Sequence, residues 1–127
     1  MFVSMLFCVE NSIGQSYFTS SKGSFCVYNS LTEEYDICSD RSAEVMFKVS
    51  YDETAISFST TDGSSTYYVV NKKVDDLKKQ WWYSVVFSDG TQYVMVFDLE
   101  NYEIRLAESN GTNTPVSYFF INEMWTE

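Results

Sequence analysis

Two dipeptides, Asp62-Gly63 and Asp89-Gly90, each stand between runs in which apolar and polar residues alternate. Glycine reaches positive φ without steric cost and aspartate tolerates it, so such a pair closes a two-residue hairpin. Alternation at period two places one set of side chains on a core face and the other in water. With Asn110-Gly111 further along, the pairs predict an antiparallel meander of local hairpins. They constrain the fold and are silent on activity.

The rest of the chain reads the same way. Strands are expected near residues 17–19, 24–29, 35–39, 44–51, 54–60, 66–71, 81–88, 91–98, 102–108 and 116–122, with one short helix or turn over 74–80. The only proline is Pro115, so nearly every strand can donate its full ladder. The connections are too short for parallel crossovers. The expected fold is therefore all-β, an antiparallel meander of about ten short strands with one short helical turn, closed as a barrel or packed as a sandwich. At 127 residues with no linker, residues 17–127 form one domain.

Applying a two-residue turn to each pair fixes a predicted register. About Asp62-Gly63, Phe58 faces Tyr67 and Ile56 faces Val69, giving one apolar and one polar face. Val45, Phe47 and Val49 extend the apolar face. About Asp89-Gly90, Trp82, Ser84 and Val86 face Phe97, Met95 and Tyr93, with Trp81, Tyr83, Val85 and Phe87 on the other side. Both faces there are apolar. The turn over 98–101 then adds Ile104 and Leu106 to the Met95 face, which marks that face as core. The Val94 face is either covered by another segment or is a binding surface.

The formal charge of −10 excludes phosphate-rich partners as the first expectation: no nucleic acid, no anionic membrane. Nothing is long and apolar enough to insert in a bilayer as a helix. Residues 1–9 are apolar, polar residues follow at Glu10 and Asn11, and small ones at Ser12, Gly14 and Ser16. That order is a secretory leader without its basic start, so residues 1–16 are either a signal remnant or an N-terminal strand. Cys26 and Cys38 would meet across a hairpin folded about Thr32, close enough for a disulfide, which suits export; with Cys8, three free thiols would suit the cytoplasm.

Histidine is absent, which removes the commonest general base and metal ligand. No Cys-x-x-Cys pair, EF-hand loop, Walker loop or dinucleotide fingerprint occurs. The dense carboxylates, Glu33-Glu34, Asp75-Asp76 and Asp98 with Glu100, fall at turns. No enzyme, metal or cofactor is therefore expected. The run Trp81-Trp82-Tyr83, joined by Tyr93 and Phe97, suits either a sheet core or a ligand or partner site. Asn110-Gly111-Thr112 matches a glycosylation acceptor but reads first as a turn.

The strand run with hairpin turns, and Gly23-Ser24-Phe25 near the first strands, where a Gly-x-Trp motif is expected, resemble the lipocalin-like (calycin) barrels; the chain is also similar to small exported bacterial β-proteins. The resemblance implies a small hydrophobic ligand inside a barrel. The expectation is a non-catalytic, exported binding domain for a small apolar ligand or a protein partner through Trp81, Trp82, Tyr83, Tyr93 and Phe97. The alternatives are an acidic intracellular interaction or inhibitor protein and a structural assembly subunit.

Overall fold

A computed structural model describes residues 14–109 and 113–127. Eight strands run in chain order: β1 (Ser16–Asn29), β2 (Glu34–Val49), β3 (Ala55–Thr60), β4 (Gly63–Asp75), β5 (Gln80–Phe87), β6 (Gln92–Asp98), β7 (Glu103–Glu108) and β8 (Val116–Thr126). Each pairs antiparallel with the next, and β8 returns to β1, so the meander closes as an up-and-down barrel and not as a sandwich. The residue 1–16 leader question, Cys8 and the Asn110-Gly111-Thr112 turn lie wholly or mainly outside the described residues.

Ten expected strands become eight because two breaks are continuous ladder. Residues 17–19 and 24–29 join in β1 across a bulge between Ser20 and Lys22, where the Ser20 hydroxyl donates to the Lys22 carbonyl at 2.9 Å. Residues 35–39 and 44–51 lie in and just beyond β2, whose largely polar residues at 40–43 look like a loop in sequence. The helical turn expected over 74–80 does not form. Val74 and Asp75 pair with Trp81 and Gln80, and a four-residue turn connects them, with the Lys78 amide donating to Asp75 at 3.1 Å. A seven-residue helix is far below the length that sustains itself, so the ladder wins.

Both Asp-Gly registers need correction, with unequal consequences. The first turn is Thr61-Asp62, with Thr60 facing Gly63, so Phe58 faces Ser65 and Ile56 faces Tyr67. The Asp62 amide donates to the Thr60 hydroxyl at 3.1 Å and holds this tighter turn. That is a slip of two, which preserves the faces. The second connection is three residues, 88–90, with Phe87 donating to the Thr91 carbonyl and Gly90 in the left-handed region at φ 91°. This slip of one turns β5 over. Trp81, Tyr83 and Val85, not Trp82, Ser84 and Val86, face Phe97, Met95 and Tyr93. The expected β7 pairing stands, with Leu106 and Ile104 opposite Met95 and Phe97.

The middle of the interior is filled. Phe18, Phe47, Val49, Ile56, Tyr83, Val85, Met95, Phe97 and Ile104 are almost wholly buried. Phe47 makes edge contacts with Phe58 and Phe119 at centroid distances of 5.1 Å each, and with Phe97 at 6.2 Å. An eight-stranded barrel has an interior that side chains of this size just fill. One aromatic pair of this geometry contributes about 0.5–1.5 kcal/mol beyond its buried area.

One asymmetry positions everything that follows. β2 pairs with β1 along its length but with β3 only over Met46–Val49. β3 ends at Thr60, while β2 runs on through residues 34–45 with one edge unpaired among the described residues.

Candidate functional site

The five aromatics singled out in sequence do not share one pocket. Tyr83 and Phe97 are 0% exposed and pack edge to face at 5.5 Å inside the barrel. Trp81 is partly buried beside them, 6.3 Å from Phe18 and 6.4 Å from Phe97. Tyr93 also faces inward but higher in the barrel, where its ring meets Tyr67 at 5.6 Å. Trp82 stands on the outer face, 40% exposed, with its indole N–H donating to Gln80 at 3.0 Å. Its neighbour Val96, on the Val94 face, is buried.

At the end carrying Trp81, polar groups line a hollow of about 260 Å³ bounded by Val49, Tyr51, Glu53, Lys72, Trp81 and Tyr83. A bulge between Val69 and Asn71 turns Lys72 onto the row of Tyr83. Lys72 pairs with Glu53, and the Tyr83 hydroxyl donates to the same carboxylate at 2.8 Å. The ammonium also lies 5.1 Å from the Trp81 ring and 5.5 Å from that of Tyr83. Burial disfavours the Glu53 charge, but the hydrogen bonds from Lys72 and Tyr83 and the Lys72 charge outweigh it and hold the carboxyl below its ordinary value. Burial and the Glu53 carboxylate push the Tyr83 phenol far up, so it stays a neutral donor. The Tyr83 hydroxyl, the Lys72 ammonium and the Glu53 carboxylate thus satisfy one another.

The opposite end is open on one side, where β2 leaves β3. A slot of about 220 Å³ opens there into the barrel wall. Its floor is apolar, with Val45, Phe58, Phe119 and Ala43, and Ser20 sits below. Gly23 lines the back: a Cβ there would stand 2.1 Å from the Tyr118 carbonyl, so only glycine permits β1 and β8 to approach. Arg41 lies on the interior row of β2, opposite Gly23, and its guanidinium covers the Phe119 ring at 5.0 Å. Among the described residues no carboxylate is within ion-pair reach of Arg41, whereas Arg105 binds Asp98 and Glu103. Sequence reasoning missed this site. Its trace there is the largely polar stretch 40–43, which reads as an ordinary loop between two strands.

Above the slot the β1–β2 hairpin projects as an arm. β8 last pairs with β1 at Cys26–Val116, so residues 27–37 form a two-stranded tip with no third strand among the described residues. Cys26 faces Cys38 in register at a Cα separation of 4.1 Å, and the two are joined by a disulfide. The expected pairing is thus present, and it clasps the arm at the level where β8 stops. A bare two-stranded ribbon is marginal in water, and a covalent clasp restricts its fraying. Ile37 and Leu31 on the tip are exposed.

Among the described residues no three His, Cys, Asp or Glu side chains gather as metal ligands. Among the described residues no helix is long and apolar enough to cross a membrane. Comparison with known protein families, with curated proteins and with solved structures gave no match.

Proposed function

We propose that the protein is a non-catalytic interaction domain that seats an apolar side chain of a protein partner in the slot beside β2. The slot itself carries this reading: an apolar floor of Val45, Phe58 and Phe119 with a guanidinium at its rim, where Lys22 and Thr60 also line the slot and the Ser20 hydroxyl already donates to the Lys22 carbonyl. Its size supports a side chain over a whole ligand, beside a more open hollow of about 350 Å³ that shares Lys22, Gly23 and Arg41 with it. Small-molecule sites run about 300–1,000 Å³, whereas a void of about 150 Å³ takes up benzene. At about 220 Å³ the slot suits one leucine or phenylalanine side chain better than a lipid-sized molecule. The packed interior argues the same way, since Phe47, Met95 and Phe97 occupy the space that a barrel ligand would need. The disulfide supports export to an oxidising compartment.

Toluene is a direct probe of the slot. Titrated into isotope-labelled protein, it is expected to shift resonances of Ala43, Val45, Phe58 and Phe119. Ala43→Phe, which fills the slot from β2, is expected to abolish those shifts. Shifts confined to Trp82 and Phe120 on the outer face, or unchanged by Ala43→Phe, would contradict the reading.

A further inference from the structure

We infer that the free edge of β2 receives an extended basic segment of another protein as an added ninth strand. The inference deepens the proposed function and rests on it for the slot alone; the edge is a separate observation. Three features meet here. First, residues 34–45 of β2 have an unpaired edge among the described residues, a row of backbone donors and acceptors set for a ladder. Second, the interior row of that stretch ends at Ala43 and Val45, which line the slot, so a strand laid along the edge brings one of its alternate side chains to the slot mouth. Third, the outer row carries Asp36, Asp40 and Glu44 with Ser42 between the last two, and no cation. The nearest cation on that face is Lys22 on β1, opposite Ser42.

Charge therefore selects the occupant. A strand with lysine or arginine on its outer row and apolar residues on its inner row meets carboxylates outside and the slot inside. A second copy of the chain is disfavoured. Antiparallel pairing of two β2 edges about Ser39 sets Glu34 against Glu44, and a one-residue shift of the centre sets Asp36 against Asp40. Both molecules also carry a formal charge of −10. Like charges directly opposite in a ladder are destabilising. The Cys26–Cys38 clasp holds the far part of the edge extended before any partner arrives, which lowers the ordering cost of pairing.

The probe is the capped peptide acetyl-Lys-Val-Lys-Leu-Lys-Val-Lys-Val-Lys-amide, titrated into the full chain with its disulfide intact. Expected are hydrogen-exchange protection of alternate amides within residues 34–44 and shifts at Ala43 and Val45. N-methylating the peptide's valine and leucine amides, or its lysine amides, keeps the charge and removes ladder donors; one of the two sets is expected to weaken binding at least tenfold. Replacing lysine by glutamate in the peptide, or Asp36→Asn with Asp40→Asn and Glu44→Gln in the protein, is expected to do the same. Those surface variants spare the core; an unchanged thermal midpoint confirms that they fold. If slot shifts appear while both N-methylated peptides bind as well as the parent, the strand-addition inference is overturned and the slot reading survives. If toluene and peptide both leave Ala43 and Val45 unmoved, the slot reading falls, and edge protection alone would then still support the added strand. Edge protection in the peptide-free protein that grows with protein concentration would assign the edge to a second copy and overturn the inference.

Discussion

Replacing Cys26 and Cys38 by serine isolates what the clasp contributes to the arm. The bridge spans a sequence separation of 12. In the loop-closure treatment a ring of that size contributes about 3 kcal/mol. At about 1.4 kcal/mol per tenfold, that corresponds to roughly a hundredfold change in an opening equilibrium. The location of the bridge decides where this appears. Among the described residues the tip has no third strand beyond Cys26–Val116, whereas the barrel below is held by eight closed ladders and the Phe47 cluster. The unbridged tip can open without unfolding the barrel, and that added native-state freedom recovers part of the lost stability. Residue-resolved hydrogen exchange is therefore expected to show protected amides in residues 27–37 losing about two orders of magnitude. Protected amides at Phe47, Met95 and Phe97 should lose less, with the global loss staying below about 3 kcal/mol. Equal losses at tip and core, or a tip that keeps its protection, would refute the argument that the disulfide works locally as a clasp.

Three further outcomes follow from the register and the electrostatics. Trp81→Ala is expected to cost about 3 kcal/mol or more and Trp82→Ala no more than about 1 kcal/mol, because β5 turns the first inward and the second outward; urea titrations showing the reverse order would restore the two-residue turn. Gly23→Ala is expected to lower the thermal midpoint by about 8 °C or more, since the added methyl must displace the Tyr118 carbonyl of β8, at roughly 4 °C per kcal/mol for this length; an unchanged midpoint would contradict the close approach. Asp98 is almost wholly buried, and its desolvation is outweighed by bonds from Asn101 and Gln80 and by the Arg105 charge, which hold its carboxyl below 3.8. The folded state then carries fewer protons than the unfolded one below that value, so the stability Asp98 supplies is present at neutral pH and is lost as pH falls through the folded value. The stability gap between the parent and Asp98→Asn should narrow in acid below pH 3.8, and a gap independent of pH would contradict the assignment.

Much of the barrel is legible in the residues. Alternation in Val45-Met46-Phe47-Lys48-Val49 marks which side chains are buried, and three of them, Val45, Phe47 and Val49, are core. The cross-strand meeting of Cys26 and Cys38 follows from counting outward from Thr32. What the residues conceal is parity. A glycine at the end of a three-residue loop and one inside a two-residue loop look alike as Asp-Gly, yet the difference of one decides whether Tyr83 or Trp82 enters the core. With both β5 faces apolar, composition offered no vote. The bulge at Ser20–Lys22 is hidden for a related reason: small polar residues that bond their own backbone read as loop, though here one such bond at 2.9 Å keeps the strand going. The slot was invisible because it depends on unequal strand lengths, β2 outrunning β3, and not on any residue type at Ala43 or Phe58.

The claim on which the functional account rests is that β2 offers an open edge beside the slot. Residue-resolved hydrogen exchange on the free, disulfide-bonded protein at low concentration tests it most directly. The ladder with β1 should protect every second amide in residues 34–44, while the amides between them exchange close to the unprotected rate and both sets are slow over residues 46–49. Uniform protection along residues 34–44 would mean that the edge is already occupied, and would contradict the account.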